Sequence, residues 1–243
     1  MIGLPDHISA VLFDLDGVLT GTAALHREAW KATFDEFLKE RDPDHFVPFT
    51  DRDYADHVDG RPRADGVRTF LAARQITLPE GEPADPPSAV TVNGVGNRKN
   101  ELVQKIIAEQ GVTAYPGSVR FINAAKESGF AIAVVTSSAN GAMVLAAADL
   151  TPLVQVLVDG HVIAREGLAG KPAPDSFLAG ARALGVAPAN AAVFEDALSG
   201  VAAGQAGGFG YVVGVDRADQ AEELRRHGAD VVVKDLAELL EQS

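Results

Sequence analysis

Six short apolar runs punctuate the chain: Ile8 to Phe13, Ala131 to Thr136, Val154 to Val158, Ala191 to Glu195, Tyr211 to Val215 and Val231 to Val233. Each is too short for a buried helix, and turn-forming or polar residues close it. That pattern predicts strands buried on both faces. Helical spacing appears over Ser118 to Glu127, Gly141 to Ala148, Asp175 to Leu184, Leu198 to Gln205 and Gln220 to His227. Strands alternating with helices of this length form parallel βαβ units. Asp159-Gly160, flanked by Val156-Leu157-Val158 and Val162-Ile163, carries a two-residue hairpin signal, so a small β-ribbon is expected to interrupt the alternation.

The stretch from about 22 to 110 follows another pattern, with no convincing strand. Leu25, Ala29, Phe34, Phe37 and Leu38 fall near helical spacing, as do Gly66 to Ala73 and Asn97 to Glu109. Pro79 to Pro87 is too rich in proline and charge for regular structure and reads as an exposed loop. The predicted architecture is α/β: a Rossmann-like parallel-sheet core over residues 1–20 and 112–243, interrupted by a helical cap over 21–111.

Composition narrows the chemistry. With 21 Lys plus Arg against 34 Asp plus Glu, the net charge is −13, and there is no cysteine among the 243 residues. Disulfides, thiol nucleophiles and cysteine-ligated metals are thereby excluded. An acidic chain without Lys and Arg stripes argues against nucleic-acid binding. The first apolar run is too short for a signal peptide or a membrane span, so no membrane partner is expected; the absence of cysteine fits a cytoplasmic protein, and a monomer is expected.

In open α/β sheets, ligands bind beyond the carboxyl ends of the strands. Asp14 and Asp16 end the first run; Glu195 and Asp196 end Ala191-Ala192-Val193-Phe194. Four carboxylates at one sheet edge repel unless a cation or protonation offsets them, and oxygen-only ligands favour Mg²⁺. Isolated Asp-Gly sites also serve simply as turn or helix caps. Thr136, Ser137 and Ser138 end another run ahead of Asn140-Gly141, a pattern that fits an anion cradle or an ordinary N-cap. Lys171, in Gly170-Lys171-Pro172-Ala173-Pro174, sits on a backbone stiffened by proline. Together these supply a nucleophilic carboxylate, a second carboxyl, a metal, hydroxyls and a cation, the parts needed for phosphoryl transfer.

Asp14-Leu15-Asp16-Gly17-Val18-Leu19-Thr20, Thr136-Ser137-Ser138, Lys171-Pro172-Ala173-Pro174-Asp175 and Glu195-Asp196 resemble the four ordered motifs of the haloacid dehalogenase (HAD) superfamily. Thr22 to Trp30, Arg98-Lys99-Asn100 and Tyr115-Pro116-Gly117 are similar to the β-phosphoglucomutase family within it. The resemblance implies that Asp14 attacks phosphorus and Asp16 moves the proton, while Thr136 and Lys171 bind the transferring phosphoryl group. Mg²⁺ would bind Asp14, the Asp16 carbonyl and Asp196, with Glu195 nearby or direct. The cap would close over a small phosphorylated sugar, His26 coupling acceptor binding to proton transfer. Arg63, Ser138 and Asn140 would hold the non-transferring phosphate, with Ser137 lining the same turn. The resemblance leaves two activities to weigh: interconversion of β-D-glucose 1-phosphate and glucose 6-phosphate, or hydrolysis of small sugar phosphates.

Departures from the pattern matter as well. Gly21 stands where these relatives usually carry an acidic residue, while Asp59 and Ala139 stand where some mutases have Lys; the resemblance thus implies less positive charge near the distal phosphate. Gly94-Val95-Gly96 is no dinucleotide fingerprint, because Lys99 occupies the place of its third glycine.

Overall fold

A computed structural model describes residues 2–241. They fall into two compact units, residues 2–21 with 112–241, and Thr22–Gly111.

The first unit is built on a six-stranded parallel sheet of β1 (Ala10–Phe13), β2 (Ala131–Val135), β3 (Val156–Val158), β4 (Ala191–Glu195), β5 (Tyr211–Val215) and β6 (Val231–Val233). Its order is β3-β2-β1-β4-β5-β6, so the first strand lies at the centre. Every residue of β1 is buried, as expected of a strand covered on both faces. Phe13 pairs with Val134 on one side and Phe194 on the other. The segments that follow β1, β2 and β4 therefore leave the sheet at one edge. Beneath them Phe13 stacks on Phe194 at 4.6 Å, with Phe121 edge-on. Each such buried ring contributes roughly 1.5–3 kcal/mol.

The six predicted strands match those observed to within one or two residues at their ends. The hairpin does not form. Asp159 instead caps a helix, Gly160–Glu166, its Oδ1 accepting the N–H groups of His161 and Val162 at 3.0 Å. An Asp-Gly pair suits a helix N-cap as well as a turn, and the parallel pairing of β3 with β2 requires a crossover rather than a reversal.

The second unit contains α1 (Thr22–Arg41), α2 (Asp51–His57), α3 (Arg63–Ala73) and α4 (Val92–Gln110). Helix α2 was not anticipated: it is short, and Thr50 and Asp53 start it with a reciprocal capping box. Phe34 sits among Trp30, Phe49 and Phe70, with ring centroids 4.2–5.1 Å apart. The proline-rich segment is irregular, as predicted, but anchored. Asn93 and Asn97 of α4 donate to the carbonyls of Glu80, Pro83 and Asp85, and Arg98 donates to that of Pro87.

Among the described residues, no helix is long and apolar enough to cross a membrane.

Candidate active site

At the carboxyl edge of the sheet, Asp14 follows β1 with its N–H bonded to the carbonyl of Phe194. Its side chain is buried, and Lys171 Nζ lies 2.6 Å from Oδ1. The same ammonium donates to Glu195 Oε2 at 2.8 Å and to the Val135 carbonyl at 3.3 Å, which occupies all three of its protons. The ring of Phe177 lies 4.7 Å away. Lys171 is only 2% exposed, so its charge acts in a medium of low polarity.

One cation shared by two buried carboxylates leaves negative charge unbalanced. Burial holds the Asp14 carboxyl above its ordinary range despite the nearby Lys171, with Asp16 adding to the rise. Burial and Asp14 together push Glu195 up to about 8. For Lys171 the pull of Asp14 and Glu195 outweighs desolvation, so it stays charged. Oxygens of Asp14, Glu195 and Asp196 all lie within 4.8 Å of one another. With all three ionised, these carboxylates carry −3 against the +1 of Lys171, and a hard divalent cation fits both that deficit and the ligand type. Glu195 Oε1 also accepts the N–H of Ala197 at 3.2 Å, so both of its oxygens already face protein donors. The Asp16 carboxylate is not part of the three-residue cluster.

Asp16 Oδ2 instead faces Thr136 Oγ1 at 3.4 Å. Thr136 follows β2, and its hydroxyl accepts the N–H of Ser138 at 3.1 Å. Ser138 Oγ in turn accepts the N–H of Asn140, while the Asn140 side chain does not cap the helix that starts at Gly141. Ser137 lies between them, half-buried. The turn after β1 is drawn tight against the metal-type cluster. Gly17 has φ +96°, and a Cβ there would collide with the Asp196 carboxylate. Both facts demand glycine.

His26 and Arg63 belong to the helical unit. His26 Nδ1 lies 2.9 Å from Lys99 Nζ, and Lys99 also sits over the Trp30 ring at 5.0 Å. Burial first, and Lys99 second, hold His26 well below its ordinary pKa. The neutral ring therefore accepts from Lys99 at Nδ1, which places its own proton on Nε2. Lys99 was not picked out as a site residue; its signal was the Arg98-Lys99-Asn100 run. Arg63 opens α3, half-buried, and desolvation lowers its pKa. Among the described residues no carboxylate pairs with it. Its stem packs on α4 at Gly96, where a Cβ would come within 3.1 Å of Cγ. That packing accounts for one glycine of the Gly94-Val95-Gly96 run.

A sequence profile of haloacid dehalogenase-like hydrolases matches residues 8–208. A β-phosphoglucomutase of Mycobacterium bovis is 56% identical, covering 99% of this chain and 94% of that protein. The chain belongs to the haloacid dehalogenase superfamily, in its β-phosphoglucomutase-like family. Validoxylamine A 7'-phosphate phosphatase of Streptomyces hygroscopicus, another relative, is 30% identical over 94% of each chain. Among solved structures, CbbY from Rhodobacter sphaeroides in complex with phosphate superposes with a TM-score of 0.70 at 26% identity, covering 96% of both chains. The HAD assignment makes this protein an enzyme of the phosphoryl-transfer kind, on the α/β core that the superfamily shares.

Proposed function

We propose that this HAD enzyme is a Mg²⁺-dependent β-phosphoglucomutase, interconverting β-D-glucose 1-phosphate and glucose 6-phosphate through an aspartyl-phosphate on Asp14. An oxygen of Asp14 bonds to phosphorus as the ester P–O bond breaks, and Asp16 gives its proton to the departing sugar oxygen. In the reverse transfer Asp16 takes the proton of an acceptor hydroxyl while that oxygen displaces Asp14. Passing the group to the 6-hydroxyl of β-glucose 1-phosphate and recovering it from C1 completes the isomerisation. Mg²⁺, held by Asp14, Asp196 and the Asp16 carbonyl with Glu195 in support, would offset charge on the carboxylates and the phosphoryl group. Lys171 opposes the effect of burial by favouring the ionised form of Asp14 and orients it, and with Thr136 it faces the developing negative charge. Ser137, Ser138 and Asn140 line the turn where a phosphate would meet backbone N–H groups.

The observation that carries the mutase reading is Arg63. A half-buried guanidinium with no acidic partner, in a chain of net charge −13, is suited to a ligand anion. While phospho-Asp14 reacts with the 6-hydroxyl, the sugar's own phosphate at C1 is the non-transferring one and would fill that place. The 56% identical β-phosphoglucomutase supports the same choice. His26, kept neutral beside Lys99, couples the acceptor to proton transfer, and cap closure would exclude water. A phosphatase reading has its own support in Asp59 and Ala139, which bring no positive charge to the distal phosphate, and in the validoxylamine phosphate phosphatase relative. A coupled assay on β-D-glucose 1-phosphate separates the two. Glucose 6-phosphate is expected to accumulate; inorganic phosphate released without it would overturn the mutase reading.

A further inference from the structure

The loop after β5, residues 216–220, carries no residue that the motifs or the proposed reaction use. Its side chains nevertheless brace four segments, around Gly17, Tyr115, Asp196 and Lys234. Asp216 Oδ1 accepts the N–H groups of Ala218 and Gln220, which fixes the loop on itself. Gln220 Nε2 donates to the backbone carbonyl of Asp196 at 3.0 Å. Arg217 makes the longest reach: Nε donates to the Gly17 carbonyl at 2.7 Å and Nη1 to the Lys234 carbonyl at 2.8 Å. Its guanidinium lies 3.8 Å from the centroid of the Tyr115 ring.

Gly17, Asp196 and Tyr115 among these partners bear on the working geometry. Gly17 closes the turn that carries Asp14 and Asp16, and packs against the Asp196 carboxylate. Tyr115 donates its N–H to Leu19, and Gly21 donates to Thr113, so 19–21 and 113–115 run side by side where the chain leaves and re-enters the α/β unit. Arg217 thus ties the carboxylate turn to the paired segments at the exit. Among the described residues no carboxylate pairs with it. In so acidic a chain, an arginine whose partners are two carbonyls and an aromatic face is chosen for shape: a flat fork that reaches two acceptors while its plane stacks. Lysine has neither the fork nor the plane.

We propose that Arg217 is a positioning residue for phosphoryl transfer, holding the Asp14–Gly17 turn at the spacing from Asp196 and Tyr115 that the reaction needs, without touching substrate. The inference rests on reading Asp14 and Asp16 as the reacting pair. Both transfers use that pair, so losing the brace lowers every turnover alike.

The test measures Arg217→Ala and Arg217→Lys, with Asp14→Asn in parallel, on p-nitrophenyl phosphate and β-D-glucose 1-phosphate. Mg²⁺ affinity is measured by calorimetry and folding by circular dichroism. Arg217→Ala should lose about 10- to 100-fold in kcat on both substrates, with KM changed less and Mg²⁺ bound more weakly. Arg217→Lys should recover only part of the loss. Should the alanine variant fail to fold, the lysine variant decides, and wild-type kcat and Mg²⁺ affinity in it overturn the proposal. A folded Arg217→Ala with unchanged kcat and Mg²⁺ affinity, whatever its melting temperature, makes Arg217 a structural brace alone and also overturns it. Activity surviving in Asp14→Asn removes the underlying reading and this proposal together; an inactive Asp14→Asn beside unaffected Arg217 variants removes this proposal only.

Discussion

Lys171 in the α/β unit and Arg63 in the helical unit are matched in opposite ways. In the α/β unit, Lys171 is buried and spends all its protons on Asp14, Glu195 and a carbonyl. In the helical unit, Arg63 is half-buried with no carboxylate partner, and His26 is held neutral beside Lys99. A cation matched by buried carboxylates can organise a nucleophile, whereas a guanidinium that neither a carboxylate nor a carbonyl of the described residues holds is suited to a ligand anion. On the proposed reading, the α/β unit carries the bond-breaking chemistry and the helical unit the choice of acceptor. Substitutions in the first should damage every substrate; substitutions in the second should damage only those with a distal phosphate.

Asp14→Asn tests the first half most severely. It should cost at least about 10³-fold in turnover on sugar and aryl phosphates alike, because a carboxamide replaces the attacking carboxylate. Lys171→Ala should follow, with about a 10²- to 10³-fold drop at saturating substrate on both. A Lys171→Ala enzyme slowed only through KM would break the contrast between the units. Arg63→Ala should cost about 10- to 100-fold in kcat/KM on β-D-glucose 1-phosphate and leave aryl phosphate hydrolysis near wild type, as expected for losing a charged hydrogen bond to phosphate.

Histidine titration sharpens the comparison through stability. An unfolded histidine takes up a proton near pH 6.5, whereas the folded His26 resists it. Protons therefore favour the unfolded chain, and the stability His26 supplies is present above about pH 6.5 and lost as pH falls below it. The slope approaches about 1.4 kcal/mol per pH unit. Thermal melts of His26→Gln between pH 7 and 5 should be flatter than those of the wild type. Gly96→Ala, crowding the Arg63 stem, should repeat the Arg63 pattern at about 3-fold on the sugar phosphate.

How much of this was legible in the sequence depended on range. Asp14, Thr136 and Glu195 stand directly after apolar runs whose strand character is local, and a parallel sheet brings such ends to one edge. Lys171 could be picked out because its motif surrounds it in sequence. Pairings made across long separations were not legible: His26 meets Lys99 through the packing of α1 on α4, and Arg217 meets Gly17 through the order of the strands. Asp159 misled because one Asp-Gly pair satisfies two local geometries, and only the parallel pairing of β3 selects the helix cap. Arg63 was visible as a residue but not as an unpaired charge, since partners are a property of the fold.

The division between chemistry and acceptor choice is tested most directly by how the phosphoryl-enzyme partitions between sugar and water. Phosphorus NMR on β-D-glucose 1-phosphate, following glucose 6-phosphate against inorganic phosphate in wild type and Arg63→Ala, reads that ratio. The account predicts a wild-type ratio strongly in favour of glucose 6-phosphate and a fall of about 10-fold or more in Arg63→Ala. A ratio already in favour of inorganic phosphate in the wild type, or one unchanged by Arg63→Ala, would contradict it.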